Sequence, residues 1–309
     1  MRDGPARRIA PKLFGSHGQR PWFQLGMNEE LISHTVMQTI ACPICHGNNL
    51  SKYIDAPNSR ISGTSKVDKC NTCGMIFTNP RPDLPATKDN PDPDMEEFAP
   101  AFLDRQESNA PFILNLLSKY TTGRRLFDFG CGNGLLVTHA VDAGWDAEGQ
   151  DIGKSLVAAG NKFFNFNRLS AEPLSSYVPP RIGKFDAIVA WQVFEHVDRP
   201  VEIAQQLLPL LASGGIFLID VPNAHQLQEL KTRGSTLHPN SQWNHFTTHT
   251  LSALLERIGC KVIYCSGAPA LLGLWKKLGA GNSFALAHLA KRILPPIGSG
   301  VCAIGRKKG

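Results

Sequence analysis

Apolar positions along the 309-residue chain fall into short runs separated by polar joints, and the period of the runs changes in a regular order. Residues 108–120 (SNAPFILNLLSKY) place their apolar side chains at helical spacing. Beyond them, segments read as strands at 125–129 (RLFDF), 146–150 (DAEGQ), 185–191 (FDAIVAW), 215–221 (GIFLIDV), 261–265 (KVIYC) and 300–304 (GVCAI). Helical segments at 134–143, 154–164, 200–211 and 248–258 lie between them. Strands and helices that alternate in this way predict an α/β fold, a parallel sheet with helices on both faces. Ligands of such sheets bind beyond the carboxyl ends of the strands, so the chemistry is sought there. No apolar run reaches the 18 residues that a membrane-spanning helix needs.

Polar and charged positions divide the chain further. Residues 1–40 read as a partly disordered N-terminal extension: Arg2, Arg7, Arg8, Lys12 and Arg20 occur there without the apolar stretch of a secretory signal. Residues 41–82 contain two cysteine pairs, and residues 83–107 read as an acidic, proline-rich linker or lid. From Asp83 to Glu107 there are eight acidic residues, interspersed with Pro85, Pro91, Pro93 and Pro100. The α/β segment occupies 108–309. The net charge of +6 sits towards its end, where eight Lys or Arg and no Asp or Glu follow from Lys261 onward. Within that region, 268–296 reads as a basic helical insertion (LLGLWKKLG, FALAHLAKRIL). It suits a packed helix with a solvated edge, a substrate lid, or contact with a partner or membrane surface.

The first strand runs directly into Asp128-Phe129-Gly130-Cys131-Gly132-Asn133-Gly134. Glycines let backbone approach a ligand where a Cβ would obstruct it. A dinucleotide fingerprint would be G-x-G-x-x-G, and here the third glycine comes one residue early, which disfavours a pyrophosphate. Asp151, after the next strand, is placed to accept hydrogen bonds from ribose hydroxyls, or alternatively to cap the helix that begins at Lys154. Asp186 opens a buried strand and is as well explained by structure as by function.

These segments, Leu126 to Gly134, Asp151 and Phe185 to Val197 (FDAIVAWQVFEHV), resemble the motifs of class I S-adenosylmethionine (AdoMet)-dependent methyltransferases over roughly residues 110–307. The resemblance implies a Rossmann-like, mostly parallel seven-stranded sheet with AdoMet as cofactor. It further implies that Asp128, Gly130, Cys131 and Gly132 line the methionine end of AdoMet and that Asp151 holds the ribose. By the same likeness Ser170 and Ala171 border adenine, Ile152 is among the cofactor's contacts, and Trp191 and Gln192 face the cofactor from the other side.

Cys42-Pro-Ile-Cys45 and Cys70-Asn-Thr-Cys73 are two thiolate knuckles, and together they offer the S4 set that structural zinc prefers. The 24 residues between them make a long loop for this pattern, but doubling a loop costs only about 0.6 kcal/mol. The segment Cys70 to Pro82 (CNTCGMIFTNPRP) resembles the zinc ribbon that precedes some methyltransferases of sugar and secondary-metabolite pathways. The remaining four of the eight cysteines are scattered, which fits a reducing compartment, and a cytoplasmic location is expected.

Methyl transfer to a hydroxyl or carbon acid requires a positioned acceptor and a group to remove its proton. Glu195 and His196, after the strand 185–191, and His245, in a loop before helix 248–258, are the candidates. Histidine titrates near neutral pH and needs no large shift to serve as a base. His225, His238 and His249 read as surface or capping groups. A small-molecule acceptor, such as a sugar nucleotide or another metabolite, is the leading expectation. Methylation of RNA or protein, with the ribbon as reader, is the alternative; Lys52, Arg60, Lys66 and Lys69 are scattered, with only Tyr53 and Phe77 as stacking surfaces, so nucleic acid is disfavoured. A scaffold that has lost catalysis is a third reading, against which the intact glycine turn and Asp151 stand.

Overall fold

The computed structural model describes residues 37–57, 64–82, 109–224, 242–267 and 300–309. Most of the N-terminal extension, the acidic linker and the basic insertion lie outside the described residues, as do His225 and His238. In chain order the elements are β1 (Met37–Gln38), β2 (Leu50–Pro57), β3 (Thr64–Cys70), β4 (Ile76–Thr78), β5 (Arg81–Pro82), α1 (Ala110–Tyr120), β6 (Arg125–Phe129), α2 (Leu135–Asp142), β7 (Asp146–Gln150) and α3 (Lys154–Phe163). They continue with β8 (Leu169–Ser170), α4 (Leu174–Tyr177), β9 (Phe185–Trp191), α5 (Pro200–Leu207), β10 (Leu211–Pro222), β11 (Asn244–His245), α6 (Thr248–Arg257), β12 (Cys260–Gly267) and β13 (Gly300–Lys307).

Seven strands form the main sheet in the order β12-β13-β10-β9-β6-β7-β8. From β10 to β8 neighbours run parallel, whereas β13 is antiparallel to both β10 and β12. The two-residue period of a strand divides its side chains between two cores. Phe127, Phe129, Phe185, Ile188, Phe217 and Ile219 pack on one face, against α5 and α6. Leu126, Ala187, Val189, Ile216 and Leu218 pack on the other, against α1 and α2. With both faces covered, the central strands are apolar along nearly their whole length, which is why a charged residue within one is conspicuous.

Strands β6, β7 and β9 have the bounds their sequences predict, but β10, β12 and β13 extend further. The helix expected over 200–211 ends at Leu207 and gives way to a single 3-10 turn at Leu208–Leu210. Pro209 has no N–H to continue the helical ladder, although Leu208 before it keeps helical backbone. Leu211 then already belongs to β10 and pairs with Phe185, and the register shifts between Leu211 and Ile216.

At the amino end of the sheet, Asp186 accepts hydrogen bonds from the Arg125 side chain at 3.0 and 2.6 Å and from the Arg125 amide at 3.0 Å. These bonds, chiefly those from the Arg125 side chain, hold its carboxyl below the usual range. Such a group stabilises the fold above its unfolded pKa, about 4, and the gain is lost as pH falls through the lower folded value. Asp186→Ala is therefore expected to cost about 1 kcal/mol at pH 7 in denaturant titration, with no difference from the unaltered chain in strong acid.

The second sheet has the order β11-β4-β3-β2. Its fourth strand comes from far along the chain: Asn244 pairs with Phe77 and His245 with Ile76. Cys42, Ile44, Cys70, Met75 and Phe77 lie in the same core cluster as Phe129, Phe194, Phe217 and Phe246. The cysteine-bearing segment is thus built into one face of the main sheet. Among the described residues, no helix is long and apolar enough to cross a membrane.

Candidate functional site

At the carboxyl ends of β6 and β7 the chain turns tightly. Gly130 and Cys131 donate their amides to the carbonyl of Gln150, and Gly134 closes the turn onto Cys131 before α2 begins. Gly130, Gly132 and Gly134 have φ of +72°, +53° and +84°. The reasons for the glycines differ. A Cβ on Gly130 would come within 2.5 Å of the Val193 side chain and one on Gly134 within 2.6 Å of that of Leu169, so either would have to displace its neighbour. A Cβ on Gly132 would meet no protein atom within 4 Å, which leaves its backbone open to a ligand.

Asp151 stands beside that open backbone. Its carboxylate accepts from the amide of Gly132 at 3.0 Å and from that of Gly153 at 2.9 Å. Gly153 is the N-cap of α3, so Asp151 also holds the amide at which that helix begins, beside its bond to Gly132. Ile152 is half exposed, an apolar side chain on the rim. Ser170 and Ala171 follow the short edge strand β8; Asp151 donates its amide to the Ser170 carbonyl, and the Ser170 hydroxyl accepts from the amide of Glu172.

Three carboxyl groups are buried around this end of the sheet. Burial, and then the charge of Asp151, raise Asp128 to about 7. Burial raises Asp220, on β10, to about 7 against the bond it accepts from Gln192 at 2.6 Å. Gln192 itself is left-handed, with φ +57°, directly after Trp191, which meets Phe112 edge to face. Burial also carries Glu195 well above the usual carboxyl range, and its Oε2 has no hydrogen-bond partner among the described residues. A cation entering here would draw these groups towards ionisation. Sequence reasoning missed Asp220, although a charged residue within the apolar run GIFLIDV was the same signal that marked Asp128 in RLFDF.

Glu195 Oε1 lies 3.7 Å from Nε2 of His196, whose side chain is about a quarter exposed. His245 departs from expectation. It lies on β11 and not in a loop, 1% exposed, with Nε2 3.3 Å from the Thr78 hydroxyl. Burial, and then the charge of Arg81, lower it to about 3. It therefore stays neutral at pH 7 and is a weak base. Two-residue pairing with a strand 167 positions away left no periodic mark in the sequence. His249 is exposed on α6, as expected.

The four cysteines of the knuckles converge. Their Sγ atoms all lie within 4.8 Å of one another, with Cys42 to Cys73 at 3.4 Å and Cys45 to Cys70 at 3.5 Å. A tetrahedral zinc with bonds of about 2.3 Å needs sulfurs about 3.8 Å apart, so the set has the size and chemistry for that ion. None of the eight cysteines is disulfide-bonded.

Residues 102–264, a little over half of the chain, match the family model described as a methyltransferase domain. Among curated proteins, the chain is 29% identical over 107 residues to a ubiquinone biosynthesis O-methyltransferase of Psychrobacter cryohalolentis, covering 33% of this chain and 42% of that one. It is 27% identical over 122 residues to the protein of the same name from Methylococcus capsulatus, covering 37% and 50%. The chain thus spans half or less of the length of these relatives. Among solved structures it is similar to the plantazolicin methyltransferase BpumL in complex with SAH, with a TM-score of 0.50 and 19% identity, over 71% of this chain and 91% of that one.

Proposed function

The chain belongs to the methyltransferase-domain family, the class I AdoMet-dependent methyltransferases, and from that premise we propose that it transfers a methyl group from AdoMet to a small-molecule acceptor. The observation that carries the reading is the pairing of an open glycine backbone at Gly132 with the Asp151 carboxylate on its amide, at the carboxyl end of the sheet. Gly130, Cys131 and Gly132 would hold the methionine end of AdoMet with Asp128 beneath, Asp151 its ribose, and Ile152, Ser170 and Ala171 its adenine. Trp191 and Gln192 would close the site from β9. Bound AdoMet supplies a methyl group already activated by its sulfonium.

What remains for the chain is to orient the acceptor and take its proton. His196 is the group we assign to that proton, with Glu195 behind it at 3.7 Å. His245 is enclosed on β11 against Thr78. The curated relatives are named O-methyltransferases, which favours oxygen over carbon as the acceptor atom. Cys42, Cys45, Cys70 and Cys73 would hold a structural zinc, an ion whose four protein ligands leave it no open position for catalysis. The unpaired cysteines support a cytoplasmic enzyme. The basic residues of 268–296 would serve an acidic acceptor or a membrane surface.

Incubating the protein with methyl-labelled AdoMet and a lysate of its source cells tests the reading. Label is expected in small material resistant to nuclease and protease. Label in RNA or protein would overturn it and make the ribbon a recognition module.

A further inference from the structure

Strand β11 is held from two sides. On one side it pairs with β4, which directly follows the second cysteine knuckle: Cys70 donates its amide to the Met75 carbonyl, and Thr78 donates to Trp243. On the other side it grips the loop after β9. Trp243 and Asn244 both donate their amides to the carbonyl of Glu195, at 2.7 and 3.0 Å. The Asn244 side chain donates to the carbonyls of Phe194 at 3.0 Å and Val197 at 2.6 Å. Arg81, 2% exposed, closes the arrangement. Its Nη1 donates to the Asp198 carbonyl at 3.1 Å and lies 3.5 Å from the Asp198 carboxylate, its Nη2 donates to Asn244 Oδ1 at 3.4 Å, and the guanidinium stands over Trp243.

A guanidinium taken out of water costs several kcal/mol unless it is well paired. Asp198, the one carboxylate paired with it among the described residues, is more than half exposed. The arrangement is therefore an expensive way merely to join two sheets, and what it fixes is the backbone of residues 194–198.

We infer that Arg81 and Asn244 are positioning residues, through which the cysteine ribbon fixes the loop that presents Glu195 and His196 to the methyl acceptor. The inference rests on the proposed reading in one respect, that Glu195 and His196 face the acceptor. The ribbon then acts as the abutment of the reacting side of the site, through hydrogen bonds to the loop after β9.

The test uses the full chain with Asn244→Ala, which removes both side-chain donors, and Arg81→Met beside Arg81→Lys. In Asn244→Ala, hydrogen–deuterium exchange at residues 194–198 is expected to speed up by about tenfold or more, with β6 and β7 unchanged. Affinity for S-adenosylhomocysteine should hold within about threefold, while the maximal rate of label transfer from AdoMet to the small-molecule fraction of a lysate falls by about tenfold or more. The AdoMet concentration giving half that rate should stay nearly constant. Arg81→Lys keeps the charge beside Asp198 and is expected to recover part of the rate lost in Arg81→Met. Unaltered exchange at 194–198, or a rate lost only in step with S-adenosylhomocysteine affinity, overturns the inference. Should Asn244→Ala not fold, the Arg81 pair decides the matter on the same readouts. The cofactor reading fails separately, if S-adenosylhomocysteine does not bind the unaltered chain, and the exchange comparison stands without it.

Discussion

Cys70→Ser is expected to lose its metal and to melt well below the unaltered chain, which should itself contain about one zinc by metal analysis. Cys70 is buried, and its sulfur lies 3.5 Å from that of Cys45. Without an ion the four sulfurs are only packed thiols; with one they close two loops and fix β3 and β4. Structural zinc contributes about 10 kcal/mol or more in isolated finger peptides, and the ribbon needs only a part of that to hold its sheet. A loss of about 3 kcal/mol would lower the melting temperature by about 5 to 10 °C. The effect should not stay within the ribbon, because Cys42, Cys70, Met75 and Phe77 share a core with Phe129 and Phe194. Full zinc occupancy in Cys70→Ser would contradict the assignment.

The parts of the fold that could be read from the chain are those whose signal is local. Strands β6 and β9 are apolar apart from Arg125, Asp128 and Asp186 because both of their faces are covered, and they were found to the residue. The glycine turn was legible because its conformation is written in its own residues. Where the determining partner is remote, the sequence is silent. Strand β11 is two residues long and exists because β4 offers an edge. The same holds for β8, which is two residues long and sits at the edge of the sheet beside β7. Strands β2 and β3 alternate lysines and aspartates with Ile54 and Val67, a pattern too sparse to separate from loop.

The site divides along the same line. Asp128, Gly132 and Asp151 are near neighbours in the chain's first βαβ unit, so motif and geometry coincide. Glu195 and His196 are next to each other, and their position after β9 follows from the order of the elements. Arg81 sits in Asn79-Pro80-Arg81-Pro82, and its partners Asp198 and Asn244 lie more than a hundred residues on, so nothing local marks it as a buried cation. His245 shows the converse case. Its residue type suggested a base, and what the sequence did not show is its enclosure on β11, where burial and then the charge of Arg81 lower its pKa.

Asp151→Ala is expected to weaken S-adenosylhomocysteine binding by about 1.5 to 3 kcal/mol, roughly 10- to 150-fold, measured by calorimetry. Charge-assisted bonds to the ribose would be lost, and the Gly132 amide would lose its acceptor at 3.0 Å. The pH dependence separates this cause from general damage. Asp128 titrates at about 7, raised first by burial and second by the charge of Asp151. A ligand bearing an ammonium group prefers the ionised carboxylate, so binding to the unaltered chain should release a proton below that value. Affinity should then rise with pH and level off above about 7. Removing Asp151 removes the like charge, which lowers Asp128, so the levelling-off should move to lower pH even as the affinity falls. A variant that is weak at every pH, with the same inflection, would mean that Asp151 and Asp128 do not share one site. Unchanged affinity would remove Asp151 from the cofactor's ligands.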